Sequence, residues 1–184
     1  MRSRSKSVAL AVSAICVPLA SILLAIYLSP WFKWERNALS DLGHAVKSEV
    51  APIFNLGLVT GGLLFLMFST LYMHRRYPIT SKLMVLASYF LILIGTFDEV
   101  YGFLHFIVSL VFFIALAFAA LSYSYESKKS YPIVITLIIG IAWALQLSGI
   151  CECGASVPEM ISVLISLVWF IDALRNLHRS ISWS

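Results

Sequence analysis

Acidic, imidazole and small polar side chains gather beside long apolar runs, and these residue types suit acid-base, metal-binding or ligand-binding chemistry. In the polar segment 29–50, Asn37, Ser40, Asp41 and His44 fall at i, i+3, i+4 and i+7. This spacing brings side chains to one face of a helix. The opposite face would be apolar, so the segment predicts a short amphipathic outer helix whose polar face points at a binding site.

A second group of ionisable residues lies where the third apolar run meets the fourth. Asp98 and Glu99 form the turn, and His105 follows inside the fourth run. If the fourth helix begins near Asp98, then Asp98, His105 and Ser109 lie on one face. Ionisable residues inside membrane helices usually face the bundle interior and have a function. The hairpin therefore predicts a buried histidine below a carboxylate.

Two further polar groups lie at the ends of apolar runs. Asn55 lies near the start of the second run, and Glu159 begins the sixth. Ser162, Ser166 and Trp169 continue from Glu159 at helical spacing, which predicts a polar stripe that extends inward.

These residues support three interpretations, which the sequence leaves open. The first is hydrolysis, in which imidazole and carboxylate groups act as acid and base. Its candidate catalytic residues are His105, Glu99 and Asp41. The second is a ligand pocket, whose candidate binding residues are Asn37, Ser40, Asn55, Asp98 and Glu159. The third is a hydrogen-bonded network that only joins the helix ends.

A divalent metal such as zinc is a further hypothesis, because zinc binds imidazole and carboxylate ligands. The candidate ligands are His44, His105 and Asp41, although no HExxH or HxxxH spacing is present. Cys151 and Cys153 form a CxC pattern that could be a disulfide, a pair of free thiols or weak metal ligands.

The composition predicts the elements that must position these groups. The chain has 184 residues, of which 60% are hydrophobic and 12% are charged, whereas soluble domains have about 25% charged residues. Each apolar run is long enough to cross a hydrocarbon core of about 30 Å. We therefore predict an all-α, polytopic integral membrane protein with a six-transmembrane-helix bundle. Residues 1–184 form a single transmembrane domain with spans 8–28, 51–73, 79–97, 103–123, 132–150 and 157–174.

The first run follows basic residues, as a secretory signal does, but it is too long for the apolar part of such a signal. We expect it to be a retained helix. In the second run Gly57 and Gly61 form a GxxxG pattern, which predicts close packing against another helix.

The distribution of charge predicts the orientation. Of 13 Lys and Arg residues, most lie on the side that six spans assign to both termini, and most of the nine Asp and Glu residues lie on the other side. The positive-inside rule therefore predicts cytoplasmic termini in a plasma-membrane protein. The net charge of +4 is explained by this topology and by membrane lipids as partners, and we expect no nucleic-acid partner.

Four stretches together resemble a known family. They are NALSDLGH, FNLGLVTGGLLF, GTFDEVYGFLHFIVSLVFF and GASVPEMISVLISLVWF. They are similar to a prokaryotic six-helix membrane family catalogued as domain of unknown function 998. The resemblance carries over to Ser40, Asp41, Leu42 and Gly43, to Asn55, Gly57 and Leu58, to Glu99 and His105, and to Pro158 and Glu159. His44 and the CEC turn are not part of the common pattern.

That family is distantly similar to Frag/DRAM/Sfk-type membrane proteins, which act around lipid remodelling and membrane organisation. The resemblance implies no particular activity. We expect an outward-facing polar pocket that binds a lipid or lipid-like small molecule, with headgroup hydrolysis as an extension. The alternatives are a small-solute or proton-coupled transporter, with Asp98, His105 and Glu159 along its path, and an accessory subunit without a site. Asp172 is the only charged residue predicted deep towards the inside, which favours a one-sided pocket.

Overall fold

The computed structural model describes residues 2–179, with side chains for residues 4–177. Over that range the chain is helical and contains no β-strand. Six α-helices follow one another along the chain. They are α1 (Arg2–Tyr27), α2 (Ala51–Phe68, extended by a π-helical turn, Ser69–Met73), α3 (Pro78–Thr96), α4 (Phe103–Ser127), α5 (Tyr131–Leu147) and α6 (Ser156–Arg179).

The helices match the predicted apolar runs, and the predicted fold class is confirmed. Within residues 2–179, five helices are long and apolar enough to cross a membrane. The remaining helix, α5, is equally apolar but has 17 residues, which is the lower limit for a span. The chain is a multi-pass membrane protein with a helical bundle.

Proline residues mark where several helices begin. Pro52, Pro78 and Pro132 occupy the first turns of α2, α3 and α5, where a missing N–H group costs nothing because it would have no partner within the helix. The free N–H groups of α3 are capped by Glu126 near the end of α4, whose carboxylate accepts from Ile79 N at 2.8 Å and Thr80 N at 3.0 Å. This contact fixes α3 against α4.

Small residues let α1 and α2 approach closely. A Cβ atom at Gly61 would be 2.7 Å from Pro18 Cγ, and one at Gly57 would overlap Ser21. The predicted GxxxG contact is therefore confirmed, and its partner is α1. Lipid tails are as apolar as leucine side chains, so such close contacts supply much of the attraction between membrane helices.

The bundle has two chemically different ends. We call the end that carries the segment 28–50, the turn 97–102 and the turn 148–155 the acidic end. The opposite end, with the turns 74–77 and 128–130, is the basic end. At the basic end Asp172 Oδ2 accepts hydrogen bonds from Lys129 Nζ at 2.6 Å, Tyr123 OH at 2.7 Å and Tyr131 OH at 2.7 Å. Asp172 thus joins α4, α5 and α6.

Two local predictions are wrong. The segment 28–50 is a series of turns around one five-residue 3-10 helix, Leu39–Gly43. Asn37 precedes this short helix and His44 follows it, so the predicted polar helix face does not form. The helix α4 begins at Phe103, and Asp98 lies before it, where its carboxylate accepts from Val100 N at 2.8 Å. Asp98 therefore does not share a helix face with His105.

Candidate functional site

Residues 37–44, which we call the lid, cover the acidic end of the bundle and are attached to α6. Glu159 Oε2 accepts a hydrogen bond from Leu39 N at 2.7 Å. Ser156 N donates to Asn37 O at 3.1 Å, and just before the lid Trp34 O accepts from Gly154 N at 2.9 Å. The start of α6 therefore holds the lid through hydrogen bonds to main-chain atoms of the lid.

A second attachment joins the lid to α2. Asn55 Nδ2 donates to Gly43 O at 2.8 Å. Gly43 lies so close to α2 that a Cβ atom there would be 2.5 Å from Asn55 Oδ1 and 2.8 Å from Phe54 Cδ1. Leu42 is fully buried. These contacts explain two residues of the SDLG sequence. Leu42 anchors the lid by its burial, and Gly43 permits the close approach of the lid to α2.

The lid also has internal hydrogen bonds. Asp41 Oδ2 accepts from Asn37 Nδ2 at 2.7 Å and from Ala38 N at 3.1 Å. These bonds satisfy main-chain and amide donors at the start of the 3-10 helix. The predicted proximity of Asn37 and Asp41 is therefore present, although it arises from a turn and not from an α-helical face.

A mainly apolar cavity of about 130 Å³ lies beneath the lid. Its walls come from α1, α2, α3, α4 and α6. Four polar residues line it near the lid: Ser40, His105, Ser109 and Glu159. Its deeper part is lined by apolar side chains together with Ser88, Ser166 and Trp169. We call the polar end beneath the lid the mouth of the cavity, and the rest of its lining is mainly apolar.

The histidine at the cavity mouth has a defined tautomer. His105 Nδ1 is 2.7 Å from Phe97 O. A carbonyl oxygen only accepts hydrogen bonds, so Nδ1 carries the proton and Nε2 of the neutral ring is an acceptor. Ser109 Oγ lies 3.4 Å from that Nε2 atom. His105 is 7% exposed, so its ring is held in one orientation.

The predicted polar stripe on α6 faces the bundle interior. Ser162 is buried and accepts from Trp143 Nε1 of α5 at 3.1 Å. Ser166 and Trp169 line the cavity and are also buried. Among the described residues, Ser166 Oγ and Trp169 Nε1 have no hydrogen-bond partner. Glu159 is thus the start of an inward polar stripe, as its spacing predicts.

A separate hollow of about 290 Å³ lies on the other side of the lid. It is lined by Trp31, Asn37, Asp41, His44, Lys47 and Glu99. Burial is the main cause that raises the pKa of Glu99 to about 7, and a hydrogen bond and charge repulsion from Asp41 raise it further. Lys47 acts in the opposite direction. Glu99 Oε2 is buried and has no hydrogen-bond partner among residues 4–177, whose side chains are described, which also disfavours the charged form.

The structure therefore divides the predicted site residues between two spaces. Of the candidate catalytic residues, His105 lines the cavity, whereas Asp41 and Glu99 line the hollow. Of the candidate binding residues, Ser40 and Glu159 line the cavity and Asn37 lines the hollow. Asn55 holds the lid, and Asp98 caps a turn.

The sequence did not reveal the apolar walls of the cavity. Phe54, Phe112 and Val163 line it, but lipid-facing positions of membrane helices are just as apolar. Composition alone cannot separate a cavity wall from a lipid-facing surface. The one available signal was the polar stripe on α6, which identified the helix face that borders the cavity.

The candidate metal ligands are also divided, since His105 lines the cavity and His44 and Asp41 line the hollow. Among the described side chains, those of residues 4–177, no group of three or more His, Cys, Asp or Glu could hold a metal ion. Zinc binding stays a prediction. Cys151 and Cys153, whose state the sequence left open, form a disulfide at the acidic end.

Comparison with known proteins identifies a family. The model of a family described as "Protein of unknown function (DUF998)" matches residues 11–174, which includes the lid, α2 to α5 and most of α1 and α6. No curated protein matches the chain, and no solved structure matches it.

Proposed function

The chain belongs to the DUF998 family of proteins of unknown function, and we propose from the geometry of its site that it binds a single-chain amphiphile beneath the lid. One observation carries this proposal. The cavity is apolar over most of its length, yet it begins at four polar residues: Ser40, His105, Ser109 and Glu159. An amphiphile has the same division between a polar head and an apolar chain.

The size of the cavity favours one chain. An apolar cavity of about 150 Å³ in a protein core accommodates benzene, and this cavity measures about 130 Å³. A cavity of this size encloses a segment of about six carbons of one alkyl chain, as many as benzene has, and it has no room for two chains or a fused ring system. The ligand class is therefore a lipid with one chain, or a lipid that inserts only one of its chains.

The polar mouth favours an uncharged or cationic head. His105 Nε2 and the Glu159 carboxyl group supply hydrogen-bond acceptors. Glu159 is the carboxyl group that lines the cavity, and its carboxylate form would repel an anionic head. A chain that leaves lipid tails gains little from entering another apolar space. Contacts with the head group therefore decide the affinity.

The position of Asp172 at the basic end does not support a transport path. Asp172 is hydrogen-bonded to Lys129, Tyr123 and Tyr131 and does not line the cavity. The cavity ends near Trp169 and Phe170. These observations favour a one-sided binding site over a transporter.

We further propose that the acidic end faces outward in the plasma membrane, with both termini in the cytoplasm. The charge distribution supports this orientation through the positive-inside rule. The Cys151–Cys153 disulfide at the acidic end supports it independently, because disulfides persist in oxidising environments.

A cavity-filling variant tests the binding proposal. Val163 and Val168 both lie on α6, but Val163 lines the cavity and Val168 is 54% exposed on the outer surface of the bundle. A monoacylglycerol with a brominated chain should quench tryptophan fluorescence, because Trp169 lines the cavity. We expect Val163→Phe to weaken this quenching by about tenfold, an effect of about 1.4 kcal/mol.

Val168→Phe is the matched control, since it adds the same volume to the lipid-facing side of the same helix. It should quench with the wild-type dependence on ligand concentration. Equal quenching curves for Val163→Phe and the wild type would contradict a chain in the cavity. Loss of quenching in both variants would also contradict it.

A further inference from the structure

We propose that this site cleaves a carboxylic ester of the bound amphiphile, with Ser109 as the nucleophile and His105 as the general base. The inference rests on the proposed binding function, because the bound chain would carry the ester to the cavity mouth. Both residues line the cavity. They lie one helical turn apart on α4, at i and i+4.

The geometry of His105 suits a base. Phe97 O accepts the Nδ1 proton at 2.7 Å, which leaves Nε2 as the acceptor. Ser109 Oγ is 3.4 Å from Nε2. A nucleophile within reach of a base that a third group orients is the arrangement required for an activated serine, and such contacts are often long without substrate. Here a main-chain carbonyl takes the orienting position.

The hydroxyl of Ser109 has a different kind of partner from three other hydroxyls on the helices. Ser88 Oγ donates to Met84 O at 2.6 Å, Ser162 Oγ donates to Pro158 O at 2.6 Å, and Thr136 Oγ1 donates to Pro132 O at 2.9 Å. Each of these bonds satisfies the hydroxyl with its own helix, as is usual for serine and threonine in helices. Ser109 Oγ instead contacts an imidazole nitrogen beside a cavity. The hydroxyl of Ser109 is therefore placed where a nucleophile would be activated.

The carboxyl groups that the sequence suggested as partners are less suitable. Asp41 and Glu99 line the hollow on the other side of the lid. Asp41 already accepts two hydrogen bonds within the lid. Ser109 shares the cavity with His105 and needs no movement of the lid to contact it.

The reaction balances with water as the second substrate. Ser109 Oγ attacks the ester carbonyl carbon, and its proton passes to His105 Nε2. The bond from that carbon to the alkoxy oxygen breaks, and the departing alcohol takes the proton from Nε2. Water then attacks the acyl-serine with its proton accepted by Nε2, which releases the carboxylic acid and returns the proton to Ser109 Oγ.

The depth of Ser109 indicates where the ester would lie. Ser109 is six residues into α4, or about 9 Å along the helix at about 1.5 Å per residue. Phe112 and Leu116 line the cavity further along α4. An ester near the head end of a single chain would reach Ser109 with its acyl chain alongside these residues. Monoacylglycerols have this chemistry.

Covalent labelling of the full chain tests the inference. A dodecyl fluorophosphonate reacts with activated serines, and peptide mapping identifies the modified residue. We expect one adduct, on Ser109, in the wild type and none in Ser109→Ala. His105→Gln should react at least about 100-fold more slowly, in line with the usual contribution of a general base. Ser148→Ala removes a serine whose hydroxyl bonds Leu145 O outside the cavity, and it should be labelled like the wild type.

Binding of the brominated monoacylglycerol is measured in parallel, so that failure of the catalytic inference can be distinguished from failure of the binding proposal. Quenching and an adduct in both the wild type and Ser148→Ala, together with loss of the adduct in Ser109→Ala, support the inference. Quenching without any adduct in the wild type overturns the catalytic inference alone, as does an adduct that persists in Ser109→Ala. Absence of both quenching and adduct overturns the binding proposal as well.

Discussion

At the level of single residues, Glu99 makes the stability of the folded protein depend on pH. Its pKa is raised from 4.5 to about 7, mainly by burial and then by the neighbouring Asp41. The folded protein therefore holds a proton on Glu99 over a range in which the unfolded chain has lost it. The resulting stabilisation is complete below about pH 4.5 and is lost as the pH rises through about 7.

Glu99→Gln should remove this pH dependence, because glutamine resembles the protonated acid at every pH. We expect the melting temperature of the variant, relative to the wild type, to increase between about pH 5 and pH 8. Differential scanning fluorimetry of detergent-solubilised protein measures this difference. Glu49→Gln, at an exposed position near the lid, is the control and should show a smaller change. A constant difference between Glu99→Gln and the wild type would show that Glu99 is not shifted.

At the level of elements, the lid depends on a close main-chain approach that one methyl group should prevent. In Gly43→Ala the new Cβ atom would meet Asn55 Oδ1 at 2.5 Å and Phe54 Cδ1 at 2.8 Å. We expect a destabilisation of about 1–3 kcal/mol, typical of overpacking, together with faster hydrogen exchange in residues 37–44. Hydrogen exchange with mass spectrometry measures the second effect.

Gly140→Ala is the matched control. A Cβ atom at Gly140 would meet nothing within 4 Å, and alanine is favoured over glycine inside a helix by about 1 kcal/mol. The control should be neutral or stabilising and should leave exchange in the lid unchanged. Equal exchange in the lid of both variants would contradict the contact between Gly43 and α2.

The elements differ in how well the sequence predicts them. The helices follow from local composition, because every main-chain polar group inside a membrane must be paired and a helix does this within one segment. The lid does not follow from local spacing. Its shape is determined by hydrogen bonds from Leu39 to Glu159 and from Asn55 to Gly43, and these contacts join distant parts of the chain. Asn37 and Asp41 therefore meet without the predicted helix.

At the level of the whole molecule, the proposed orientation exposes the acidic end to labelling reagents outside the cell and the basic end to reagents in the cytoplasm. Val46 is 80% exposed at the acidic end, and His74 is exposed at the basic end. We expect Val46→Cys to react with a membrane-impermeant maleimide on intact cells and His74→Cys to react only after permeabilisation. Both variants should be made with Cys16→Ser, because Cys16 is a free, exposed thiol. The reverse pattern of labelling would invert the proposed topology.

The central claim is that one alkyl chain lies inside the bundle, and photocrosslinking tests it most directly. A monoacylglycerol with a diazirine near the end of its chain should form adducts on cavity residues such as Phe112, Leu116 and Phe170. Unlabelled monoacylglycerol in excess should suppress these adducts while adducts on lipid-facing residues such as Leu137 and Leu164 persist. Adducts confined to the lipid-facing residues, with no competition at the cavity, would contradict the account.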